Sequence, residues 1–376
     1  MASKSPVLDY RTVGERSNRD FVRTAEILAR WLGERLESAT DVQVFDLAWP
    51  QGAGMSNETI LLRARWVRHG EAMEQGLVVR LAPKLVQFFK DADLRRQFDL
   101  LRAVHRGGHV IVAEPLWFEE DGSLLGQQFY AMRRLEGRVP VSFPGYNVSG
   151  FLFDATPRER ATLWRSAMEE LCRVAKTPAE EVQVLAMPDK GATGFDQLLN
   201  FWKESCRWAQ ADTAPFLIAA EAWLEEHRPS NPVSGFSWGD ARIGNMMFGY
   251  DFKLTGVMDW EQASLGGPLH DLGWWLYFDD MHSWRNGHKR LDGLGTRAET
   301  IDLWRELTGF EVRDLPWYEV FAGYKLAVIV ARRYASARDE RPGFNFNNNA
   351  YTRAMADIMG VPAPADAYLS APRGDE

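Results

Sequence analysis

The chain has 376 residues, of which 45% are hydrophobic and 26% charged; this composition is typical of a folded globular protein, and the length predicts two domains or lobes. The formal net charge of -8 argues against a nucleic-acid-binding protein, which normally carries a basic face. The N-terminus shows no apolar signal segment, and the most apolar later run, residues 326–331, is too short to cross a bilayer. We therefore expect a cytoplasmic protein with a small-molecule partner and no nucleic-acid or membrane partner. The oligomeric state is left open.

The order of the predicted elements separates a β-rich part from a helical part. The first part is predicted to contain helices at 19–36 and 93–104 and strands at 42–45, 59–66, 76–81, 110–118 and 127–134. The second part is predicted to contain helices at 157–174, 195–209, 215–226, 298–307, 317–337 and 350–359. This order predicts an α+β protein with lobes at residues 1–135 and 136–376. Cys172 and Cys206 lie in helical patterns and are predicted to be buried thiols.

Candidate phosphate-binding residues lie in the first part. The segment between the first two strands contains Gly52, Gly54, Ser56 and Asn57. Glycines let a backbone approach phosphate groups, and small polar residues donate hydrogen bonds to them, although such a segment alone is no more than a glycine-containing hairpin. Arg80 ends the third strand, where it can contact phosphate oxygens bidentately.

The crossing between the two parts is predicted at residues 132–137. There the backbone of Met132 and Arg134 is expected to hydrogen-bond the adenine of a nucleotide. In the preceding helix, Gln97 occupies the position from which a protein kinase supplies an acidic partner for its phosphate-binding cation. A neutral amide could orient Arg80 by hydrogen bonding but not by charge pairing.

The stretch at residues 236–261 carries the groups that phosphoryl transfer requires. Asp240 and Asn245 have the spacing D-x-x-x-x-N, and a short apolar hairpin delivers Asp259 beside Asn245. Transfer requires a carboxylate that accepts the proton of the attacking hydroxyl, the role predicted for Asp240, and oxygen ligands for magnesium, the role predicted for Asn245 and Asp259. Arg242 adds a cation two residues after Asp240. Taken alone, the loop is equally typical of an Asx-rich turn.

Acidic residues accumulate after this hairpin without any Lys or Arg between residues 256 and 283. They are Asp259, Glu261, Asp271, Asp279 and Asp280. Because desolvated like charges raise each other's pKa, a cation is needed, and magnesium fits Asp259 with Glu261 near its water shell. The last two acids are interpreted as an exposed loop, with the lining of an acceptor pocket as the alternative. Asp271 is predicted to hydrogen-bond the catalytic loop, and His270 to lie at the surface or in a helix cap.

Three motifs occur in the order and spacing of a known family. WGDARIGN, GVMDWE and PLHDLGWW resemble the aminoglycoside phosphotransferase family, which includes choline-kinase-like small-molecule kinases and has a protein-kinase-like fold. The resemblance implies a small N-lobe with an antiparallel sheet and a helix, a larger and mostly helical C-lobe, and a nucleotide in the cleft. It implies Asp240 as the catalytic base, Asn245 and Asp259 as magnesium ligands, and Arg242 as a cation that stabilises the transition state.

The implied activity is magnesium-dependent transfer of the γ-phosphoryl group of ATP or GTP to a hydroxyl of a small molecule. An aminoglycoside is one such acceptor, and a metabolic alcohol, a sugar or a hydroxyacyl compound are others. Two residues depart from the family pattern: Trp238 stands where the family usually has His, and Gln97 stands where an acid is expected. The alternative is therefore a catalytically weak nucleotide-binding or regulatory module of the same fold.

Overall fold

The computed structural model describes residues 19–50, 58–83, 89–142, 145–336, 345 and 347–364. Within these ranges the chain forms an α+β structure in which an antiparallel sheet is followed by a mostly helical region, as the sequence predicts. The predicted phosphate-loop residues Gly52, Gly54, Ser56 and Asn57 lie outside the described residues.

The N-terminal lobe is built on an antiparallel sheet with the order β1-β2-β3-β5-β4. Its strands are β1 (Ala39–Ala48), β2 (Glu58–Arg68), β3 (Glu71–Leu81), β4 (Pro115–Glu119) and β5 (Phe129–Arg133), and its helices are α1 (Phe21–Gly33) and α2 (Leu94–Gly107). Alternate residues of β2, including Ile60 and Leu62, are buried because successive side chains of a strand point to opposite faces. They pack with Leu28 and Trp31 of α1, so this helix covers one face of the sheet.

The C-terminal lobe consists mainly of helices around a single apolar core. The helices are α3 (Phe151–Asp154), α4 (Pro157–Ala175), α5 (Gly194–Trp208), α6 (Pro215–Glu226), α7 (Leu269–His282), α8 (Arg297–Thr308), α9 (Leu315–Ser336) and α10 (Ala350–Met359). A short hairpin, β6 (Met246–Phe248) and β7 (Leu254–Val257), precedes α7. Cys172 and Cys206 are buried, as predicted. No helix in the described ranges is both long and apolar enough to cross a membrane.

The chain that follows β5 is tied to the β6–β7 hairpin by two backbone hydrogen bonds. The N–H of Arg138 donates to the oxygen of Phe248 at 2.7 Å, and the N–H of Phe248 donates to the oxygen of Arg138 at 2.8 Å. At Gly137, with φ +149°, a Cβ would lie 2.7 Å from the oxygen of Phe248, so a side chain would separate the two segments. The hairpin that leads to Asp259 therefore lies directly against the crossing. The predicted lobe boundary at residues 135 and 136 stays a prediction.

A second link between the lobes is a cluster of ion pairs. Lys90, which lies between β3 and α2, places its Nζ 2.6 Å from Oε2 of Glu204 on α5. Nζ of Lys190 approaches the same oxygen at 2.8 Å. Two ammonium groups, one from the chain before α2 and one from the chain before α5, thus share one carboxylate.

His270 is buried, so its predicted surface or capping position is wrong. Its ring is 5% exposed and packs against the rings of Phe195, Trp317 and Phe321. Burial, reinforced by the charge of Lys325, lowers the pKa of His270 well below its usual value. The reason is that α7 is packed against α9 and is buried along most of its length, which leaves no exposed face at this position.

Candidate active site

The carboxylate of Asp240 is held by three side-chain donors. Its Oδ1 accepts hydrogen bonds from Nε1 of Trp274 at 2.9 Å and from Nε of Arg242 at 3.1 Å. Its Oδ2 accepts a hydrogen bond from Nδ2 of Asn245 at 2.7 Å. Donors on both oxygens fix the carboxylate in one orientation, which a base needs in order to accept a proton from a bound hydroxyl.

The β6–β7 hairpin brings Asn245 and Asp259 together, as the sequence predicts. Asn245 ends a short 3-10 turn before β6, and its carbonyl accepts the N–H of Met258 at 2.9 Å. The next residue, Asp259, has a left-handed backbone with φ +61°, which is uncommon for a residue other than glycine. Such backbone strain is often found at functional sites, where the surrounding structure maintains it.

Asp259 has the properties of a metal ligand. Its Oδ1 is buried and accepts no hydrogen bond. Burial raises the pKa of this carboxyl; the Arg80 guanidinium opposes the rise and Asp240 adds to it. Oδ1 has the Arg80 guanidinium nearby but accepts no hydrogen bond, so it can still bind a hard cation, and the residues fit magnesium. No group of three or more His, Cys, Asp or Glu side chains in the described part of the chain could hold a metal, but magnesium usually takes one or two protein ligands together with phosphate oxygens.

Arg80 lies beside this carboxylate. Its Nη2 is 3.5 Å from Oδ1 of Asp259, and its strand places it opposite Tyr130 of β5. The Nε of Arg80 is buried and has no hydrogen-bond acceptor, so a donor is available for a phosphate oxygen. The orienting role predicted for Gln97 stays a prediction; this residue lines a groove with Trp260 and Glu261.

Asp271 forms hydrogen bonds with the catalytic loop, as predicted. Its Oδ1 accepts the hydroxyl of Ser237 at 2.9 Å and the N–H of Gly239 at 2.7 Å, and its Oδ2 accepts the N–H of Trp238 at 2.7 Å. Burial raises the pKa of Asp271 to about 6, and the three donors limit the rise. One buried carboxylate therefore orders three consecutive residues before Asp240.

Trp238 connects the loop that carries Asp240 to the backbone of Met258 and Asp259. Its indole N–H lies 3.0 Å from the carbonyl oxygen of Met258 and 3.0 Å from that of Asp259. The side chain is fully buried and packs against Trp260. Although Trp238 departs from the family pattern, it supplies a donor that holds the two loops together.

The predicted adenine-binding segment is partly engaged in the sheet. Met132 pairs with Val78 of β3 and with Pro115 of β4. The N–H of Arg134 donates to the oxygen of Gly76 at 3.0 Å. The adenine contacts of Met132 and Arg134 stay predictions.

A pocket opens beside Arg242. It is small in this structure, with a cavity volume of about 10 Å³, and its described lining consists of Ser142, Tyr146, Arg242, Ile243, Gly244, Trp275, Phe278, Asp279 and His282. Nη1 of Arg242 donates to the hydroxyl of Ser142 at 2.9 Å, so the guanidinium spans the space between Asp240 and the pocket wall. The interpretation of Asp279 as part of an exposed loop is wrong, because this residue lies on α7 and lines the pocket.

The acids of α7 have cationic partners that come from later in the chain. Asp279 forms an ion pair with Arg290 and accepts the hydroxyl of Tyr146 at 3.1 Å. Oδ2 of Asp280, which also lies on α7 and not in a loop, is 3.8 Å from Nη1 of Arg297. These cations lie outside residues 256–283, so the negative charge of that segment has no visible partner when its sequence is considered alone.

The comparisons with known proteins identify the family and the fold. Residues 52–310 match the sequence model of the Phosphotransferase enzyme family (APH). The chain belongs to this family. A candidate aminoglycoside phosphotransferase of Ralstonia eutropha has a TM-score of 0.63 and 22% identity, covering 89% of this chain and 96% of that one. A thermostable mutant of aminoglycoside phosphotransferase APH(4)-Ia, solved with ADP and hygromycin B, has a TM-score of 0.55 and 17% identity, covering 89% and 98%. These phosphotransferases share the two-lobed, protein-kinase-like fold of this chain.

Curated relatives of this phosphotransferase-family chain carry a different name. Acyl-CoA dehydrogenase family member 11 of Homo sapiens is 25% identical over 298 residues, which are 75% of this chain and 35% of that protein. Family member 10 of Mus musculus is 25% identical over 294 residues, which are 75% of this chain and 26% of that protein. The chain thus spans about a third or less of the length of these relatives.

Trp274 is a site residue that the sequence reasoning missed. It donates to Asp240, and it lies on α7 three residues after Asp271, which holds the same loop. Residues three apart on a helix share a face, so this spacing was a usable signal. Ser142 had no comparable signal, because it contacts Arg242 across 100 residues of sequence.

Proposed function

We propose that the protein transfers the γ-phosphoryl group of ATP or GTP, with magnesium, to a hydroxyl group of a small molecule. The observation that carries this proposal is the arrangement of Asp240, fixed by three donors, near the unsatisfied buried oxygen of Asp259. Further support comes from the phosphotransferase of the same fold that was solved with ADP and hygromycin B.

Each residue has a defined task in this reaction. Asp240 orients the acceptor hydroxyl and takes its proton as the oxygen attacks phosphorus. Arg242, which already spans Asp240 and Ser142, stabilises the charge on the transferred group. Asn245 and Asp259 hold magnesium, which neutralises phosphate charge when bound. Arg80 contributes its buried N–H to a phosphate oxygen.

The pocket beside Arg242 favours an acceptor that is not polycationic. Its one described carboxylate, Asp279, is already paired with Arg290. The pKa of His282 is lowered to about 4 by burial, with the charges of Arg242 and His288 adding to the effect, so its ring is neutral. An aminoglycoside carries several ammonium groups and would find no free anion among these side chains. We therefore propose a neutral or anionic hydroxyl compound.

Among such acceptors, a hydroxyacyl compound is supported by the names of the curated relatives, which are acyl-CoA dehydrogenase family members. The test is an acceptor screen by coupled detection of nucleoside-diphosphate release. The panel contains aminoglycosides, amino alcohols, sugars and hydroxyacyl thioesters, each with ATP and with GTP. We expect turnover with a hydroxyacyl compound and background rates with the aminoglycosides. Turnover of an aminoglycoside alone would overturn the acceptor assignment but not the phosphotransferase assignment.

Asp240→Asn is the control for the reaction itself. This variant keeps the size of the side chain but removes the base, so we expect a loss of about a hundredfold or more in kcat with nucleotide binding retained. If the wild-type protein binds nucleotide and its turnover with every acceptor equals that of Asp240→Asn, the second candidate, a nucleotide-binding or regulatory module, replaces the enzyme.

A further inference from the structure

Lys325 is a buried cation that contacts the catalytic loop. It lies on α9, is 3% exposed, and donates from Nζ to the carbonyl oxygen of Gly239 at 2.9 Å. This oxygen belongs to the residue immediately before Asp240. The contact joins parts of the chain that are 86 residues apart in sequence.

Gly239 is held from both sides by opposite charges. Its N–H donates to Asp271 at 2.7 Å, and its carbonyl accepts from Lys325 at 2.9 Å. Its φ is +88°, and a Cβ would lie 2.1 Å from the oxygen of Gln262, so only glycine fits. Because the peptide group is planar, fixing the carbonyl of Gly239 also fixes the amide nitrogen and Cα of Asp240.

Lys325 also contacts the side chain that holds the Asp240 carboxylate. Its Nζ lies 4.3 Å from the ring centroid of Trp274, whose indole N–H donates to Oδ1 of Asp240 at 2.9 Å. On the other side, Nζ lies 5.2 Å from the ring of Trp202. A cation over an aromatic face is attracted by the ring, so the ammonium group restrains the position of this indole.

The charge of Lys325 is maintained by nearby anions. Burial lowers its pKa to about 8, while Asp271 and Asp240 oppose this fall. The ammonium form therefore predominates at neutral pH. Replacing it with an apolar side chain would leave the Gly239 carbonyl without this donor and Asp271 without this counter-charge.

We propose that Lys325 is a positioning residue for phosphoryl transfer, which fixes the base Asp240 through the Gly239 peptide and through Trp274. The expected effect on kcat rests on the proposed function, whereas the ordering of the loop by Lys325 does not. Because Lys325 is 3% exposed and its Nζ is directed at Gly239 and Trp274, we expect it to contact neither substrate. Its loss should therefore reduce kcat much more than it changes the binding of nucleotide.

The first experiment compares Lys325→Met and Lys325→Arg with the wild-type protein. Lys325→Met keeps an unbranched side chain but removes the charge and the donor, and a misplaced base can cost about a hundredfold in rate. We expect kcat per nucleotide-binding site to fall about tenfold to a hundredfold, with KM for nucleotide changed by less than about threefold, and Lys325→Arg to recover part of the loss. Lys176→Met is a control for the loss of a lysine that donates to a backbone carbonyl, that of Leu307, away from the loop; because Lys176 is exposed, the partial recovery in Lys325→Arg is the control for the buried charge.

The second experiment measures hydrogen exchange of the peptide covering residues 236–245. We expect exchange at least about tenfold faster in Lys325→Met than in the wild type, and no change in Lys176→Met. A Lys325→Met protein with wild-type exchange in this peptide, or with kcat per binding site within about twofold of wild type, would overturn the inference. Wild-type turnover no higher than that of Asp240→Asn would instead overturn the proposed function, while the exchange result would still decide whether Lys325 orders the loop.

A double-mutant cycle that combines Lys325→Met with Trp274→Phe tests whether Lys325 acts through Trp274. Trp274→Phe keeps an aromatic face for Lys325 but removes the indole N–H that donates to Asp240. If Lys325 acts through Trp274, the combined loss in kcat is smaller than the product of the two single losses. Fully multiplicative losses would overturn the part of the inference that runs through Trp274.

Discussion

The hydrogen bonds of the Trp238 indole allow a quantitative prediction. In Trp238→Phe, a buried N–H that serves the carbonyls of Met258 and Asp259 is removed. Carbonyls left without a donor cost about 1–3 kcal/mol, and the cavity left by the smaller ring adds about 1 kcal/mol. We therefore expect the free energy of unfolding to fall by about 2–4 kcal/mol.

Trp304 offers a matched control for the cavity. It is fully buried in α8, and its Nε1 has no hydrogen-bond acceptor, so Trp304→Phe removes the same atoms without removing a hydrogen bond. Urea denaturation of both variants should show that Trp238→Phe is less stable than Trp304→Phe by about 1–3 kcal/mol. Equal losses, within about 0.5 kcal/mol, would refute the reasoning.

Trp238→Phe should also affect magnesium use, because one of the two carbonyls belongs to Asp259, the proposed magnesium ligand. Initial rates measured across a magnesium titration should show a higher half-saturating concentration in Trp238→Phe and an unchanged one in Trp304→Phe. Trp238→His, which restores the residue usual in the family, keeps a ring donor and should lie between Trp238→Phe and the wild type.

Three further variants test the charges of the site. Asp259→Asn should lower kcat about a hundredfold or more, because the proposed magnesium ligand is lost, and should raise the half-saturating magnesium concentration; a kcat and a magnesium titration that both match the wild type would contradict this account. Burial lowers the pKa of His282 from 6.5 to about 4, so the folded protein binds this proton less readily than the unfolded chain does. The contribution of neutral His282 to the free energy of unfolding is complete above pH 6.5 and falls by up to about 3 kcal/mol as the pH decreases towards 4. This part of the pH dependence should be missing when His282→Gln is denatured over the same pH range. Arg290→Ala leaves Asp279 without its ion-pair partner and should lower KM for amine-containing acceptors relative to neutral ones; an unchanged ratio in the acceptor screen would show that this carboxylate does not face the acceptor.

The catalytic loop could be predicted from sequence because its key contacts are local. Asp240 and Asn245 are five residues apart and share a hydrogen bond, and the hairpin that follows brings Asp259 back to them by simple strand pairing. Spacing and strand propensity are both visible in a short window of sequence. The order of the other helices and strands was predictable for the same reason, but α7 (Leu269–His282) was not among the predicted helices.

The surroundings of that loop could not be predicted in this way. Lys325 comes from 86 residues beyond Gly239, and Arg290 lies beyond the end of α7, so no helical spacing links them to Gly239 or to Asp279. Helix α7 is buried along most of its length, so it lacks the one-sided apolar stripe from which burial is usually predicted. His270 therefore looked exposed although it lies in the core.

The ion pairs that Lys90 and Lys190 form with Glu204 make the contact between the two lobes sensitive to salt. Lys90, from the chain before α2, and Lys190, from the chain before α5, approach one carboxylate, that of Glu204. The cluster is partly exposed, so dissolved ions weaken it, and their effect grows as the Debye length shortens. Lobe opening limits product release in many enzymes. Because Lys90 alone reaches Glu204 from the N-terminal side among the described pairs of this carboxylate, the Lys90–Glu204 pair is the contact through which salt concentration would act on such an opening.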